Sequence, residues 1–401
     1  MIRRMGLSFK RFVAGAGLSL LLSGSFHLAA MQAPQIADNP ERPEYSGKEA
    51  PELVFKSELS IPLAGRRYSF DVDDSGNIYL LESLAGKIFV YDKNGHWLVQ
   101  FGHKGQGPGE FENSAYLAVS KDHRVHVIDR PRKSIVIFNA QGKWLERKRL
   151  PSLGMMNNLG IDSRGFVHIQ DMRNIFALKD EERIRRGVSG LSRLLKIDKA
   201  FEKNEDIEVW DNRFMKRSPG EGYDYVLYHD IFYYQIAADD SLYCGNSASY
   251  EIRRRTPDGR LSQIIRKKAS RIPTTKRDRD RMMRDFPELK NQNPEISKTK
   301  PFFFDFHVLD QIGLLVGTYE DEWNDQATLS CDLFDFNGRF LAKVKVPRYY
   351  YAKDQDAISE QRNRIFRNGR CYSIVYDEDD DALKLVRHSI ELKWPMERTN
   401  K

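Results

Sequence analysis

The sequence predicts an all-β fold: a six-bladed β-propeller of four-stranded antiparallel blades, with helical and loop insertions on one face. Three observations predict it. A 34-residue stretch recurs without a gap at an offset of 47 residues, a period expected of propeller blades. Each unit divides into four short apolar strands separated by turn residues. A lone strand candidate ahead of the first unit is suited to complete the last one.

The first unit is YSFDVDDSGNIYLLESLAGKIFVYDKNGHWLVQF, residues 68–101, and the second is AYLAVSKDHRVHVIDRPRKSIVIFNAQGKWLERK, residues 115–148. In the first, Phe70 to Val72, Ile78 to Leu81, Ile88 to Tyr91 and Trp97 to Phe101 read as strands, because β-branched and aromatic residues dominate each run. Asp74-Ser75-Gly76 and Asn94-Gly95 supply the turns, where glycine and short polar side chains tolerate the required backbone angles. The second unit repeats the closing turn as Gln141-Gly142, and Trp97 returns as Trp144. Weaker copies follow at 159–171 with 194–197, at 235–246 with 251–265, at 302–318 with 329–346, and at 365–377 with 382–392, giving six units. The segment ELVFKSELSIPL at 52–63 is expected to join the sixth and close the ring, which pairs an edge that would otherwise invite aggregation.

Between the first two units lies FGHKGQGPGEF, residues 101–111. Gly102, Gly105, Gly107 and Gly109 are expected to permit positive φ, Pro108 to stiffen the turn, and Phe101 and Phe111 to pin both ends. This linker resembles the NHL-type propeller signature, in which Phe-Gly, Gly-x-Gly-Pro-Gly and an acidic-Phe pair join one blade to the next. More broadly, residues 52–392 look like the exported six-bladed propellers common in bacteria. The resemblance implies a rigid scaffold and no single activity, since propellers host lyases, lactonases, receptors and scaffolds alike.

The beginning of the chain sets the compartment. Arg3, Arg4, Lys10 and Arg11 precede an apolar run from Phe12 to Leu22 and then small residues, the pattern of a secretory signal peptide cleaved after Ala30 or Ser25. The run is about half of the roughly 20 residues that a spanning helix needs, and no later segment qualifies, so no membrane span is expected. The expected organisation is a signal peptide at 1–30, a flexible linker at 31–51, the propeller at 52–392 with a basic insertion at 267–301, and a tail at 393–401. The location is then the periplasm, the cell surface or the exterior. Removing four basic residues with the signal lowers the formal charge from +7 to +3. Cys244, Cys331 and Cys371 have no C-x-x-C spacing and read as core residues, so stability must come from packing.

In a propeller the connections between blades and the loops between second and third strands emerge on the same face. All the long insertions, 172–193, 211–230, 267–301 and 347–361, belong to those two kinds. Function on rigid scaffolds concentrates on such loops, so the binding surface is expected there, with His103, Arg130, Arg132, Arg173, Tyr223, Tyr225, Trp323 and Arg362 as candidate contacts. The stretch from Arg266 to Pro301 holds twelve Lys or Arg against five Asp or Glu. Its core, TTKRDRDRMMRDFPELK, begins with a Thr cap candidate and reads as a short helix with Met282, Met283 and Phe286 turned inward. The result is either a solvated lid or a basic patch for an anionic partner. Expected ligands are a protein, peptide or carbohydrate; nucleic acid is not expected, because no reading motif occurs.

Catalytic patterns are sparse. Glu82, Asp129 and Asp171 share one repeat position at the end of the second strand and are the candidates for holding a divalent cation such as calcium. The equivalent Asn246, Thr318 and Val375 leave that ring incomplete, so a structural role and no cofactor are expected. The Gly-rich linker lacks G-K-[ST], the nine His form no H-E-x-x-H, and no G-x-S-x-G occurs. His103 and His168 are the histidines expected nearest the insertion face. The favoured reading is a non-catalytic binding module; its rival is a metal-dependent lyase or lactonase-like hydrolase at the channel mouth, and an arginine-lined channel with Arg362 or Arg364 would favour binding.

Overall fold

Six short strands form the hub of the fold: Tyr68–Val72, Leu117–Val119, Met155–Ile161, Phe232–Ile236, Asp305–Leu309 and Arg364–Arg367. Each contacts the next, and the sixth returns to the first, so the ring is closed. In this computed structural model the described residues are 33–65, 67–112, 114, 116–150, 155–172, 190–212, 215–217, 223–285, 294–320, 328–347, 364–377 and 380–395. Five blades carry three further strands in chain order, as in blade 1, where Tyr68–Val72, Ile78–Glu82, Lys87–Tyr91 and Trp97–Phe101 lie side by side. The four-stranded antiparallel blades and their count agree with the sequence reading.

Blade 6 is completed by the start of the chain. Glu52–Leu63 pairs antiparallel with Ala382–Lys393 along its length, from Glu52 opposite Lys393 to Leu63 opposite Leu383. A register shift between Ser57 and Leu59 accommodates Glu58, whose Oε2 receives Arg370 Nε and Arg387 Nε, both at 2.9 Å. The lone strand closes the ring as its sequence suggested.

The apolar core is divided among the six blade interfaces. Tyr79, Leu81, Ile88 and Phe101 of blade 1 meet Leu117, Val125, Val136 and Phe138 of blade 2, and comparable clusters separate every later pair. A blade's inner and central strands therefore bury both faces. In blade 1 every residue of Tyr68–Val72 and Ile78–Glu82 is buried; the second strand accordingly shows a continuous apolar run, Ile78 to Leu81, in place of a clean period of two, whereas in the first Ser69 and Asp71 alternate with apolar residues and are buried with them. Cys244, Cys331 and Cys371 are buried thiols, and burial pushes Cys244 and Cys331 up to about 12.

The inter-blade linker has the expected pins, with Phe101 and Phe111 buried. Gly102 and Gly109 take positive φ, at 84° and 76°, and a Cβ on Gly102 would lie 2.9 Å from the Gly86 carbonyl. Gly107 does not adopt positive φ; its N–H instead donates to Glu110 Oε2 at 2.7 Å.

Residues 31–51, expected as a flexible linker, differ from that reading over their described part. Gln35–Asn39 adds a fifth, parallel strand to the outer edge of blade 4. The Asn39 side chain donates to Arg266 O and Gly338 O at 2.9 and 2.8 Å, and Tyr45 N–H donates to Leu341 O of blade 5 at 2.8 Å. The segment straps blades 4 and 5. Its partners stand far along the chain, so neither local period nor composition announces them.

A buried histidine makes the fold sensitive to acid. His126, on the second strand of blade 2, is 7 % exposed, and neither ring nitrogen finds a hydrogen bond. Burial, only partly offset by Asp122, lowers its pKa to about 4. Above the unfolded value of about 6.5 both states hold it neutral. Between there and pH 4 the unfolded chain binds the extra proton, so stability falls by roughly 3 kcal/mol in total. Urea titrations from pH 7.5 to pH 4 on wild type and His126→Leu check this: the variant is expected to lose less stability over that interval by roughly the same amount.

Candidate functional site

The inner strands leave a cavity of about 240 Å³ along the propeller axis, and residues of all six blades line it. Its wall reaches every turn between first and second strands, through Asp74, His123, Ser163, Asp240, Asp310 and Asn368. These are the short turns, on the face opposite the long insertions. Chain direction dictates this placement, because an inner strand that starts at the insertion face must end at the other one.

Several cavity residues also lock neighbouring blades together. Asp71 Oδ2 accepts the Val119 N–H of blade 2 at 2.8 Å, and Gln235 Oε1 accepts the Val308 N–H of blade 5 at 2.8 Å. Both are the fourth residue of their inner strand, where an outer residue would pair across a sheet. Asp240 accepts the Ser163 N–H at 2.7 Å, and Asp310 accepts the Asn368 N–H at 3.2 Å. Burial opposes ionisation of Asp162, but His168, the Phe166 N–H and Arg164 outweigh it and bring the carboxyl down to about 2.

Deeper in the cavity, His307 is 8 % exposed and its ring packs against Phe366 at 4.7 Å. Its Nε2 stands 2.6 Å from Asp305 Oδ2, out of line for a hydrogen bond. Blade 6 contributes Arg364 and Arg367. Arg364 donates to Pro347 O at 3.2 Å, and Arg367 lies a loose 3.7 Å from Asp71 Oδ1. Arg364, one of the arginines expected at the channel, lines the cavity from the first position of its inner strand. Asp71, His307 and Arg367 gave only a weak signal, polar residues inside short apolar strands.

The candidates on the insertion face are dispersed. His103 is exposed on the linker. Arg130 donates to Met156 O and Asn157 Oδ1, each at 3.2 Å, tying blade 2 to blade 3. Arg132 pairs with Asp129 at 2.9 Å and Glu112 at 3.5 Å. Tyr223 and Tyr225 lie on Tyr223–Leu227, the middle strand of a small sheet with Met215–Arg217 and Glu295–Ile296; their side chains are not among those described. Arg173, Trp323, Arg362, Phe286 and most of 347–361 lie outside the described residues. His168 is buried and sits near Asp162 toward the short turns, away from the insertion face where it was expected.

Glu82, Asp129 and Asp171 each have protein partners. Glu82 accepts the Leu84 and Ala85 N–H groups at 3.3 and 2.5 Å. Asp129 Oδ2 receives Arg132 and Arg147 at 2.9 and 2.5 Å, and Asp171 Oδ2 receives Arg193 Nε at 2.9 Å. Among the described residues no group of three or more His, Cys, Asp or Glu is placed to hold a metal ion, and no described helix is long and apolar enough to cross a membrane.

The basic insertion has a defined anchor. Its helix, Lys276–Asp285, starts with a reciprocal cap in which Thr275 N–H donates to Asp278 Oδ2 at 2.6 Å and Asp278 N–H donates to Thr275 Oγ1 at 3.2 Å. Lys300 Nζ reaches Asp278 Oδ1 at 2.6 Å, with both side chains almost wholly buried. The Tyr228 and Tyr319 rings flank that ammonium. The helix and its Thr cap match the sequence reading; Met282 and Met283 are half-buried.

The chain is a six-bladed β-propeller. A family model described as a 6-bladed beta-propeller, DUF5128, matches residues 70–239. Among solved structures, the propeller is similar to a member of the duf4221 family from Bacteroides vulgatus, with a TM-score of 0.53, 14% identity, and coverage of 87% of this chain and 100% of that one. It is also similar to BF0058, described as a candidate exported protein of Bacteroides fragilis, with a TM-score of 0.50, 13% identity, and coverage of 90% and 100%. Virginiamycin B lyase from Staphylococcus aureus aligns at a TM-score of 0.43, with 12% identity over 84% of this chain and 99% of that one. At these identities the likeness is one of fold. No curated protein matches the chain in sequence.

Proposed function

We propose that this propeller is an exported, non-catalytic binding module that engages an anionic protein or carbohydrate through its insertion-bearing face. The observation that carries the reading is the Lys300–Asp278 anchor. Within the blade 4–5 connection it fastens a helix rich in Lys and Arg to the segment that leads into blade 5, which supports a basic surface held in a fixed position. The two insertions support one another, since Val226 and Leu227 of the first pair with Glu295 and Ile296 of the second. Export rests on the basic-then-apolar beginning of the chain.

The test keeps the anchor and changes the outward charges. Lys276 and Arg279 are exposed, and Glu at the first turn of a helix is favoured by its dipole, so Lys276→Glu with Arg279→Glu is expected to fold normally. On immobilised heparin, a sulfated polysaccharide, wild type is expected to be retained and to elute with salt, and the variant to elute at clearly lower salt. Equal elution of the two would remove the basic helix from the reading. A resident cation is not part of this proposal: chelation with EDTA is expected to leave the melting temperature within about 1 °C, and a larger drop would reveal a bound metal.

A further inference from the structure

The outer rim of the ring meets solvent unevenly. Among the described residues nine large apolar side chains are exposed, and five of them, Leu84, Trp97, Leu98, Trp144 and Leu145, belong to blades 1 and 2. The other four are spread singly over the other four blades. Trp97 and Leu98 open the outer strand of blade 1 at 61% and 50% exposure, and Trp144 and Leu145 open that of blade 2 at 39% each. Consecutive strand residues point to opposite faces, so exposure of both members of each pair means that these strand ends stand proud of their blades. The Gly142 turn of blade 2 rests against the Phe101 ring of blade 1 with no room for a Cβ. Trp97 and Trp144 are therefore joined by six residue steps, about 20 Å of strand, and neighbouring blades present them to one flat surface. Charge accompanies the apolar pairs. Residues 92–104 and 139–149 hold six Lys or Arg against Asp92 and Glu146, and those two carboxylates are engaged by His96 and Lys148. Lys104, Lys143 and Arg149 are exposed and form no ion pair among the described residues.

We propose that the rim of blades 1 and 2 docks on an anionic lipid surface. Clustered exposed apolar groups mark an interaction site, and protruding Trp-Leu pairs call for a partner that yields around them, which a bilayer does. Indole rings settle at headgroup level, where the ring is covered and its N–H stays wet, while Leu98 and Leu145 reach toward the acyl boundary. The unpaired cations beside them complement lipid phosphates, and their attraction adds to the apolar contact. The backbone sets the depth. Trp97–Phe101 pairs only with Lys87–Tyr91, and Trp144–Arg149 only with Ser134–Phe138, so each outer strand keeps a bare edge that must remain hydrated. The contact is therefore shallow and reversible. It is also independent of the basic helix, because blades 4 and 5 stand opposite blades 1 and 2 in a ring of six.

Flotation of the full mature protein with vesicles tests the proposal, using phosphatidylcholine alone and phosphatidylcholine with about 30% phosphatidylglycerol at about 0.15 M salt. The protein is expected to float with the anionic vesicles and to remain below with the neutral ones. Trp97→Gln with Trp144→Gln is expected to lower the partition coefficient at least about tenfold, with an unchanged melting temperature because both side chains are exposed. Lys143→Gln with Arg149→Gln leaves the indoles in place and keeps the test open should the first variant fail to fold; its expected effect is a clear loss of flotation on the anionic vesicles. The proposal is overturned by equal flotation of wild type and both rim variants, or by absence of flotation. It is also overturned if the wild type is a dimer that the Trp variant dissolves, which would make the rim a contact between copies. The Lys276→Glu, Arg279→Glu variant is expected to float as wild type does, so loss of its heparin retention and loss of rim docking are read separately; abolished flotation in that variant would move the lipid contact to the helix and overturn the proposal.

Discussion

Replacing Lys267 with Met is expected to lower the unfolding free energy by about 3–5 kcal/mol, the cost of leaving a buried charge without its counterion. Lys267 ends the outer strand of blade 4, and its Nζ lies 2.6 Å from Asp332 Oδ2 on blade 5, with each side chain 1% exposed. Tyr250 Oη donates to the same carboxylate oxygen at 2.5 Å, and burial together with Asp332 raises its pKa well above the ordinary tyrosine value. The Lys267 ammonium also faces the Phe340 and Tyr250 rings at 4.5 and 5.1 Å. Met preserves the aliphatic stem and removes only the charge, so the loss reads the electrostatic part. Lys343 stands 3.5 Å from the other Asp332 oxygen but is more exposed. Equilibrium denaturation checks the value. A loss below about 1 kcal/mol would mean that Lys343 is the effective counterion. The triple variant Lys267→Met, Asp332→Leu and Tyr250→Phe removes both charges and the hydroxyl that donates to Asp332, and is expected to recover most of the stability, since an apolar group of similar volume packs without a desolvation cost.

The second large effect concerns closure. Without residues 34–63 the propeller is expected to lose its cooperative unfolding transition and to aggregate. Leu53, Ile61 and Leu63 are buried between the closing strand and its neighbours. Burial of each is worth about 1.5–3 kcal/mol, and their sum is comparable with a whole domain's stability of about 5–15 kcal/mol. Their removal also bares the backbone edge of Ala382–Lys393, a template for association. A permuted chain separates closure from simple loss of mass. Because Glu52 lies opposite Lys393, residues 52–63 can follow residue 395 through a short turn, with the new N-terminus at residue 67. That chain is expected to unfold cooperatively near the wild-type midpoint, and aggregation of both chains would show that covalent continuity from Leu63 into blade 1 is what matters.

Much of the scaffold was legible because blade formation is local. Asp74-Ser75-Gly76 and Asn94-Gly95 set turns by their own backbone preferences, and Asp73 shows how: its Oδ1 accepts the Ser75 and Asn77 N–H groups at 2.9 and 2.8 Å. The Thr275 cap could be read for the same reason, being made within four residues. The axial cavity was harder to see. Asp71 looks like a chance polar residue in a core strand until Val119 of the next blade supplies its donor. Arg130 and Arg132 looked available for a ligand, yet Asn157 and Asp129 hold them within the scaffold.

The amino-acid sequence determined the blade, its repetition, the closing strand and the side from which the long insertions leave, since hydrophobic rhythm, turn chemistry and strand direction act over a few residues at a time. Tertiary structure alone decided that Asn39 would clasp Gly338, that Lys267 would bury its charge against Asp332, and that Arg364 would face a cavity ringed by aspartates. Those pairings join residues far apart in the chain, and only closure of the ring brings them within bonding distance.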